Sequence, residues 1–251
     1  MIEHNVTING IDVNARYTEE NVREIFLPLL STLTELHRSK GRRILAMLAA
    51  PPGAGKSTLL SFLECLSKEH KEVESIQTIG MDGFHRRQEY LLAHETVRDG
   101  KKIPMVDVKG SPETFDLEKL KDGIKKITAG ENCGWPVYDR HLHNPVEDAV
   151  QVTGGIVLLE GNYLLLDSEG WRELSEYADH TILIRAEEKL LKDRLVARRV
   201  ASGHPADEAE GFVEYSDMYN ARLCLEHSKS ADLTLILNPD DSYEMKVKGE
   251  K

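Results

Sequence analysis

The 251-residue chain is short of cysteine, of long apolar runs and of positive charge, and each shortage removes a class of answer. Its three cysteines, Cys65, Cys133 and Cys224, are odd in number, far apart and without metal-ligand spacing. A disulfide framework is therefore not expected, and a reducing compartment fits. No run approaches the ~20 apolar residues that span a bilayer, and the opening MIEHNVTING has no basic start followed by an apolar stretch. A cytoplasmic chain is expected. Lys and Arg number 32 against 43 Asp and Glu, a formal net charge of -11. Such a surface repels phosphate backbones and anionic lipid, so neither nucleic acid nor membrane is an expected partner. A polyphosphate ligand would need positive charge gathered locally. The apolar share of 40% and charged share of 30% are those of a globular protein, with length for one large α/β domain or two small ones.

The first forty residues read as a prelude. Val6-Thr7-Ile8 and Ile11-Asp12-Val13 flank Asn9-Gly10, a tight hairpin signal. Thr18 then caps a helix whose apolar positions Val22, Ile25, Phe26, Leu29, Leu30, Leu33 and Leu36 recur at helical spacing, and Gly41 ends it. The expected role of residues 1–40 is a cover packed on the core. From Ile44 the pattern alternates strand and helix. Strands are expected at 44–49, 76–81, 156–160, 181–184 and 233–237, the fully apolar 156–160 being central. This is an α/β pattern, a parallel sheet covered by helices on both faces. Residues 85–150 exceed a simple crossover and suit an acceptor-site insertion. The tail, 239–251, is polar and expected to fray.

Residues 50–57, Ala-Pro-Pro-Gly-Ala-Gly-Lys-Ser, fit G-x-x-x-x-G-K-S except that Ala50 replaces the first glycine. Small residues (Gly53, Ala54, Gly55) let backbone N–H groups curl around a β-phosphate, and the helix N-terminus begun by Lys56, Ser57 and Thr58 favours the anion. Lys56 reaches the β- and γ-phosphates, and the Ser57 hydroxyl ligates Mg²⁺. Alanine is tolerated at position 50 if no positive φ is needed there. The alternative is an ordinary Gly/Pro turn.

The second and third strands end in carboxylates, Asp82 in Met81-Asp82-Gly83-Phe84 and Glu160 in Leu159-Glu160-Gly161. Ligands bind at that carboxyl edge in open α/β sheets. Phosphoryl transfer to a hydroxyl needs a base and a held Mg²⁺. Asp82 is the candidate base and Glu160 the magnesium-side ligand; the roles could be exchanged or shared, or each acid could cap a turn.

On these strings, with KGSPETFD (109–116), PVYDR (136–140), EGNYLLLD (160–167) and the arginine-rich 194–199, the chain resembles a family. It is similar to the phosphoribulokinase/uridine kinase/pantothenate kinase group of P-loop kinases over residues 44–237. Within that group it most resembles bacterial nucleoside-kinase-like proteins labelled fructose-transport-system kinases. The resemblance implies a P-loop NTPase fold over 41–238, ATP with Mg²⁺ and a small-molecule acceptor; a homodimer is one assembly open to the chain, and the sequence does not choose it. It implies an acceptor pocket of Asp82, His85, Lys109, Tyr138, Asp139, Arg140 and Asn162, with Asn220 beside phosphates or substrate. Lys109 could instead be solvated, Tyr138 a core aromatic, and Asp139-Arg140 a surface ion pair.

Residues 187–201 read as a helix placing Arg194 and Arg198 on one face, and Gly203-His204-Pro205 breaks it. A helical lid over 187–210, with both arginines stabilising the transferring phosphoryl group, is the functional reading. A basic face pairing with Glu187 or Glu188 is the other. The expected activity is transfer of the γ-phosphoryl group of ATP to a hydroxyl of a nucleoside, sugar or pantothenate-like metabolite. The alternative is a regulatory P-loop ATPase without an acceptor. A guanine switch would carry N-K-x-D where residues 236–241 have no lysine, and no L-S-G-G-Q-like string marks a transporter ATPase.

Overall fold

The computed structural model describes every residue except 9, 10, 99 and 248–251. Strands β1 (Ile2–Ile8) and β2 (Ile11–Tyr17) pair antiparallel, with Ile2 opposite Tyr17. The Asn9-Gly10 turn expected between them lies outside the described residues. Thr18 Oγ1 accepts from Asn21 N at 2.9 Å and opens a helical run: α1 (Glu19–Asn21), a π-helical stretch (Val22–Phe26) and α2 (Leu27–Lys40). Gly41, at φ 61°, closes it, since the left-handed region costs glycine nothing.

The core alternates as its pattern requires. In order come β3 (Ile44–Ala49), α3 (Lys56–Glu69), β4 (Ile76–Gly80), α4 (Gln88–Ala93), β5 (Glu95–Arg98), β6 (Lys101–Pro104), α5 (Leu117–Thr128), β7 (Cys133–Asp139) and β8 (Asn144–Val152). Then follow β9 (Ile156–Gly161), β10 (His180–Ala186), α6 (Glu188–Ala201), α7 (Ala206–Phe212), α8 (Met218–His227), β11 (Leu233–Leu237) and β12 (Tyr243–Val247). The main sheet runs β12-β11-β10-β3-β9-β4, and every pair but β11–β12 is parallel. β3 is buried throughout because both its faces are covered. Its Ile44, Ala46 and Leu48 join a core with Phe26, Leu59 and Leu63; Leu45, Met47 and Ala49 join a second with Leu120, Trp135 and Leu174. The N-terminal hairpin and helix pack on the first core through Tyr17, whose ring stacks on Phe62 at 4.2 Å.

The tail corrects an expectation. Residues 243–247 do not fray but add antiparallel to β11 as β12. One anchor, not mean polarity, decides: Tyr243 turns inward onto Phe26 with ring centroids 5.6 Å apart, while Glu244, Met245 and Lys246 stay exposed. Asn21 fastens the strand to the N-terminal helix. Its Nδ2 donates to Tyr243 O at 2.8 Å and its Oδ1 accepts from Tyr243 N at 2.9 Å. The opposite edge is closed differently: Glu64 on α3 accepts the Thr78 N–H of β4 at 3.2 Å.

Within 85–150, α5 packs on the second core, while the hairpins β5–β6 and β7–β8 form two-stranded sheets of their own, β7–β8 lying against the turn that ends β4. Trp135 of β7 anchors there, its Nε1 donating to Gly80 O at 2.8 Å. Among the described residues no helix is long and apolar enough to cross a membrane.

Asn21→Ala would strand two buried backbone groups of Tyr243. It is expected to cost about 1–3 kcal/mol per unsatisfied group, read as a lower midpoint in chemical denaturation with an unchanged slope.

Candidate active site

The loop between β3 and α3 has the shape its residue types allow. Gly53 (φ 84°) and Gly55 (φ 76°) adopt the left-handed backbone, whereas Ala50 is not among the residues with positive φ, so its Cβ is accommodated. The loop is also pinned from above. A Cβ on Gly53 would lie 3.0 Å from Leu195 Cγ and 3.1 Å from Leu191 O, both on α6. The arginine-bearing helix therefore rests directly on the phosphate cradle.

The two carboxylates reach the same edge by different routes. Ser57 Oγ donates to Glu160 Oε1 at 2.6 Å, linking the start of α3 to the end of β9. Glu160 Oε2 is buried without a partner. Burial pushes the Glu160 carboxyl up, with Asp82 adding to the shift and Lys56 and Ser57 opposing it. Asp82 is exposed on a 3-10 turn (Met81–Phe84) directly after β4. That turn is held on both sides by missing side chains. A Cβ on Gly83 would fall 1.9 Å from Pro136 O of β7, and one on Gly161 would fall 2.1 Å from Met81 Sδ. A hydroxyl, a carboxylate and an unpartnered buried carboxylate oxygen beside a phosphate cradle form a hard-oxygen donor set that suits Mg²⁺, which keeps waters and phosphate ligands. Among the described residues no group of three or more His, Cys, Asp or Glu is placed to enclose an ion.

Around Asp82 a second set converges. His85 stacks near Phe115 at 4.0 Å and Tyr138 at 5.1 Å, and its Nδ1 meets Asp82 O at 2.8 Å. Burial drives the His85 ring down; Asp82 opposes this and Lys109 and Arg140 add to it. Tyr138 is raised by burial, with Arg140 opposing and Asp82 and Asp139 adding. Arg198 is lowered by desolvation in the cleft and feels Asp217, Arg140 and Asp82. Asp217 is raised by desolvation, against the pull of Arg198, Arg199 and Arg140. Asp82, His85, Tyr138, Arg140, Arg198 and Asp217 thus share one electrostatic neighbourhood.

Other expected positions lie differently. Asp139 does not face that set: its Oδ1 accepts from His141 N at 2.8 Å and Leu142 N at 2.9 Å, closing its own turn, and no Asp139–Arg140 ion pair forms. Lys109 spends its ammonium on Gln88 Oε1 at 2.7 Å and His143 O at 3.0 Å, over the Tyr138 ring. Arg194 points to the far side of the cradle, where it pairs with Asp241 rather than with Glu187 or Glu188. There it borders a cleft of about 570 Å³ shared with Tyr17, Ala54, Gly55 and Thr58. Asn162 and Asn220 each keep an unpartnered buried Oδ1.

Three residues escaped the sequence reading. Asp217 received no role. Asp241 pairs with a helix 47 positions away. Arg98, in β5, is only 8% exposed and has an unpartnered Nη2. Their short local contexts carry no signal, because each is defined by partners remote in sequence.

The family model described as Phosphoribulokinase / Uridine kinase family matches residues 45–233. The chain belongs to that family. It is 39% identical over 239 residues to the Escherichia coli (strain K12) protein YggC, covering 95% of this chain and 97% of that one. A Schizosaccharomyces pombe protein named as a candidate uridine kinase is 30% identical over 201 residues, covering 77% and 83%. Among solved structures, a candidate fructose transport system kinase from Silicibacter sp. TM1040 aligns with TM-score 0.70 at 30% identity. That alignment covers 82% of this chain and 98% of the other. The architecture is thus the P-loop kinase fold of phosphoribulokinase/uridine kinase proteins, a family of small-metabolite kinases that use ATP, generally with Mg²⁺.

The contact at Gly83 makes it testable as the clamp on Asp82. Gly83→Ala meets the Pro136 backbone, which cannot yield like a flexible side chain. A destabilisation of about 1–3 kcal/mol is expected, read by thermal unfolding.

Proposed function

We propose that this chain transfers the γ-phosphoryl group of ATP to a hydroxyl of a small metabolite, in the class of nucleosides, sugars and pantothenate-like alcohols. The observation that carries the reading is the position of Glu160. It touches Ser57 of the cradle at 2.6 Å and is within electrostatic reach of both Lys56 and Asp82. Donor-side and acceptor-side chemistry are thereby brought to one edge of one sheet.

In this reading backbone N–H groups from Gly53 to Thr58 hold the α- and β-phosphates, and the start of α3 adds its positive end. The base and ribose extend into the cleft bordered by Tyr17, Thr58 and Arg194. Lys56 contacts the β- and γ-phosphates. Ser57 and Glu160 hold Mg²⁺, which when bound neutralises phosphate charge. Asp82 accepts the proton of the acceptor hydroxyl as its oxygen bonds to the γ-phosphorus and the bond to the β–γ bridging oxygen breaks. Arg198 and Arg140 meet the charge spread over the transferring group. His85 and Tyr138 form the acceptor wall, with Asn162 and Asn220 behind it. Residues 187–210 act as the lid, hinged where Gly203 adopts φ 96°. Arg194 belongs to the nucleotide side and must leave Asp241 to meet a phosphate. Lys109 and Asp139 shape the loops that carry Tyr138 and Arg140. The thiols of Cys65, Cys133 and Cys224 are free, which supports a cytoplasmic working place.

The test is ADP release with Mg²⁺-ATP over a panel of acceptors: uridine, cytidine, nicotinamide riboside, pantothenate, fructose and other common sugars. An acceptor is expected to raise turnover well above background. Lys56→Ala should abolish that increment, and normal turnover in it would remove the cradle from the chemistry. Asp82→Asn should keep ATP affinity and lose about 10²-fold or more in rate. Flat turnover across the panel with hydrolysis unchanged in Asp82→Asn would replace the kinase reading with a regulatory ATPase.

A further inference from the structure

Arg98 is hard to explain as an ordinary surface or core residue. It closes β5 of a short hairpin whose preceding Val97 is 64% exposed, yet the arginine itself is 8% exposed. Its Nη1 donates to Tyr215 O at 3.3 Å. The guanidinium carbon lies 3.9 Å from the Tyr219 ring centroid and 5.6 Å from that of Tyr215. Nη2 has no hydrogen-bond partner among the described residues. A buried guanidinium nitrogen without an acceptor is costly to keep out of water.

The surroundings have matching vacancies. Asn220, one position beyond Tyr219, is 3% exposed with its Oδ1 unpartnered, and its Nδ2 lies 3.7 Å from the place of a Cβ on Gly110. The carbonyl of that glycine is taken by Tyr163 Oη at 2.6 Å. The Tyr163 phenol is held well above its ordinary value by burial, with Cys224, Glu113 and Asp82 adding and Arg98 opposing. The Tyr163 ring meets Phe115 at 5.8 Å, and Phe115 meets His85 at 4.0 Å, whose Nδ1 lies 2.8 Å from Asp82 O, so contiguous side chains join this pocket to the Asp82 site. Tyr215 and Tyr219, which cover the guanidinium, are themselves 50% and 42% exposed, so the cover is one ring thick.

Resting on the kinase reading, we propose that Arg98 is an anion anchor of the acceptor site, with Asn220 Oδ1 accepting from a hydroxyl of the same substrate. The substrate is then an acidic alcohol whose carboxylate or phosphate meets the guanidinium fork while its hydroxyl faces Asp82. A planar fork with a free edge suits a two-oxygen anion better than a neutral sugar or base. Glu113, exposed near the same phenol, sets the limit: it repels an anion bound on its own side.

The experiment pairs acids with neutral counterparts: gluconate with glucose, pantothenate with pantothenyl alcohol, ribose 5-phosphate with ribose. Two readings are taken, ADP release and the thermal midpoint. The acidic member of at least one pair should drive turnover and raise the wild-type midpoint beyond its neutral counterpart. Arg98→Gln should raise the KM for that acid about tenfold or more, leave the KM for ATP unchanged, and abolish the midpoint shift. Arg98→Lys should recover part of both, and it carries the comparison alone if Arg98→Gln does not fold. The carboxylate and phosphate pairs decide which head group is taken. Neutral members that match their acids, or an Arg98→Gln variant that answers acids like the wild type, would overturn the anchor, as would acids that neither stabilise nor turn over. Acid-dependent stabilisation lost in Arg98→Gln, without turnover on any acceptor, would keep the anchor and sink the kinase reading.

Discussion

Close approach of chain segments at the carboxyl edge of the sheet is the constraint on which the site depends. Three glycines make it possible. Gly53 lets α6 rest on the phosphate cradle, Gly161 admits Met81, and Gly83 lies against the Pro136 carbonyl. Each contact replaces a Cβ with another chain segment. Together they bring a loop, a helix, a turn, a strand end and a hairpin from five parts of the sequence to one place. The Ser57–Glu160 hydrogen bond then joins the loop to the strand end. Removing the slack in this way is what lets a carboxylate on an exposed turn keep a fixed position relative to a lysine on a helix.

The charge distribution follows the same economy. The chain as a whole is acidic, at -11, but the cations of its candidate site are gathered by folding rather than by sequence. Lys56 comes from α3, Arg140 from the end of the β7–β8 hairpin, and Arg198 from α6. The acids that accompany them, Asp217 and Asp241, restrain the arginines without cancelling them. An acidic exterior around a local cationic cleft holds back non-specific polyanions while leaving a small anion free to enter.

How far the sequence could be read follows from the range of each interaction. The cradle was legible because its residues are contiguous and their types are dictated by phosphate. Asp82 and Glu160 were legible as edge carboxylates because strand ends in a parallel sheet converge. The helix from Thr18 to Gly41 was legible from its cap, its spacing and its left-handed stop. Lys109 and Asp139 looked like pocket residues because motif strings do not reveal whether a polar head faces a ligand or its own loop. Asp139 satisfies backbone two and three residues ahead, a competition that Asp commonly wins in turns. β12 was hidden because averaging over a polar tail erases a single inward tyrosine. Arg98 was hidden because burial of an arginine is a tertiary fact.

The sheet also ends in a definite way on both sides. β12 runs opposite to its neighbours and takes up the hydrogen-bonding edge of β11, while on the far side Glu64 occupies the Thr78 N–H of β4. A parallel sheet rich in Ile, Leu and Val is a template for adding foreign strands, and open edges are where such addition begins. Here one edge is β12, whose Tyr243 N–H and C=O are already taken by Asn21, and the other carries a carboxylate at a point where a new strand would bond. The same two features that complete the fold therefore guard the folded molecule against edge-to-edge polymerisation, a safeguard that would fail first at the β11 side if the final strand detached.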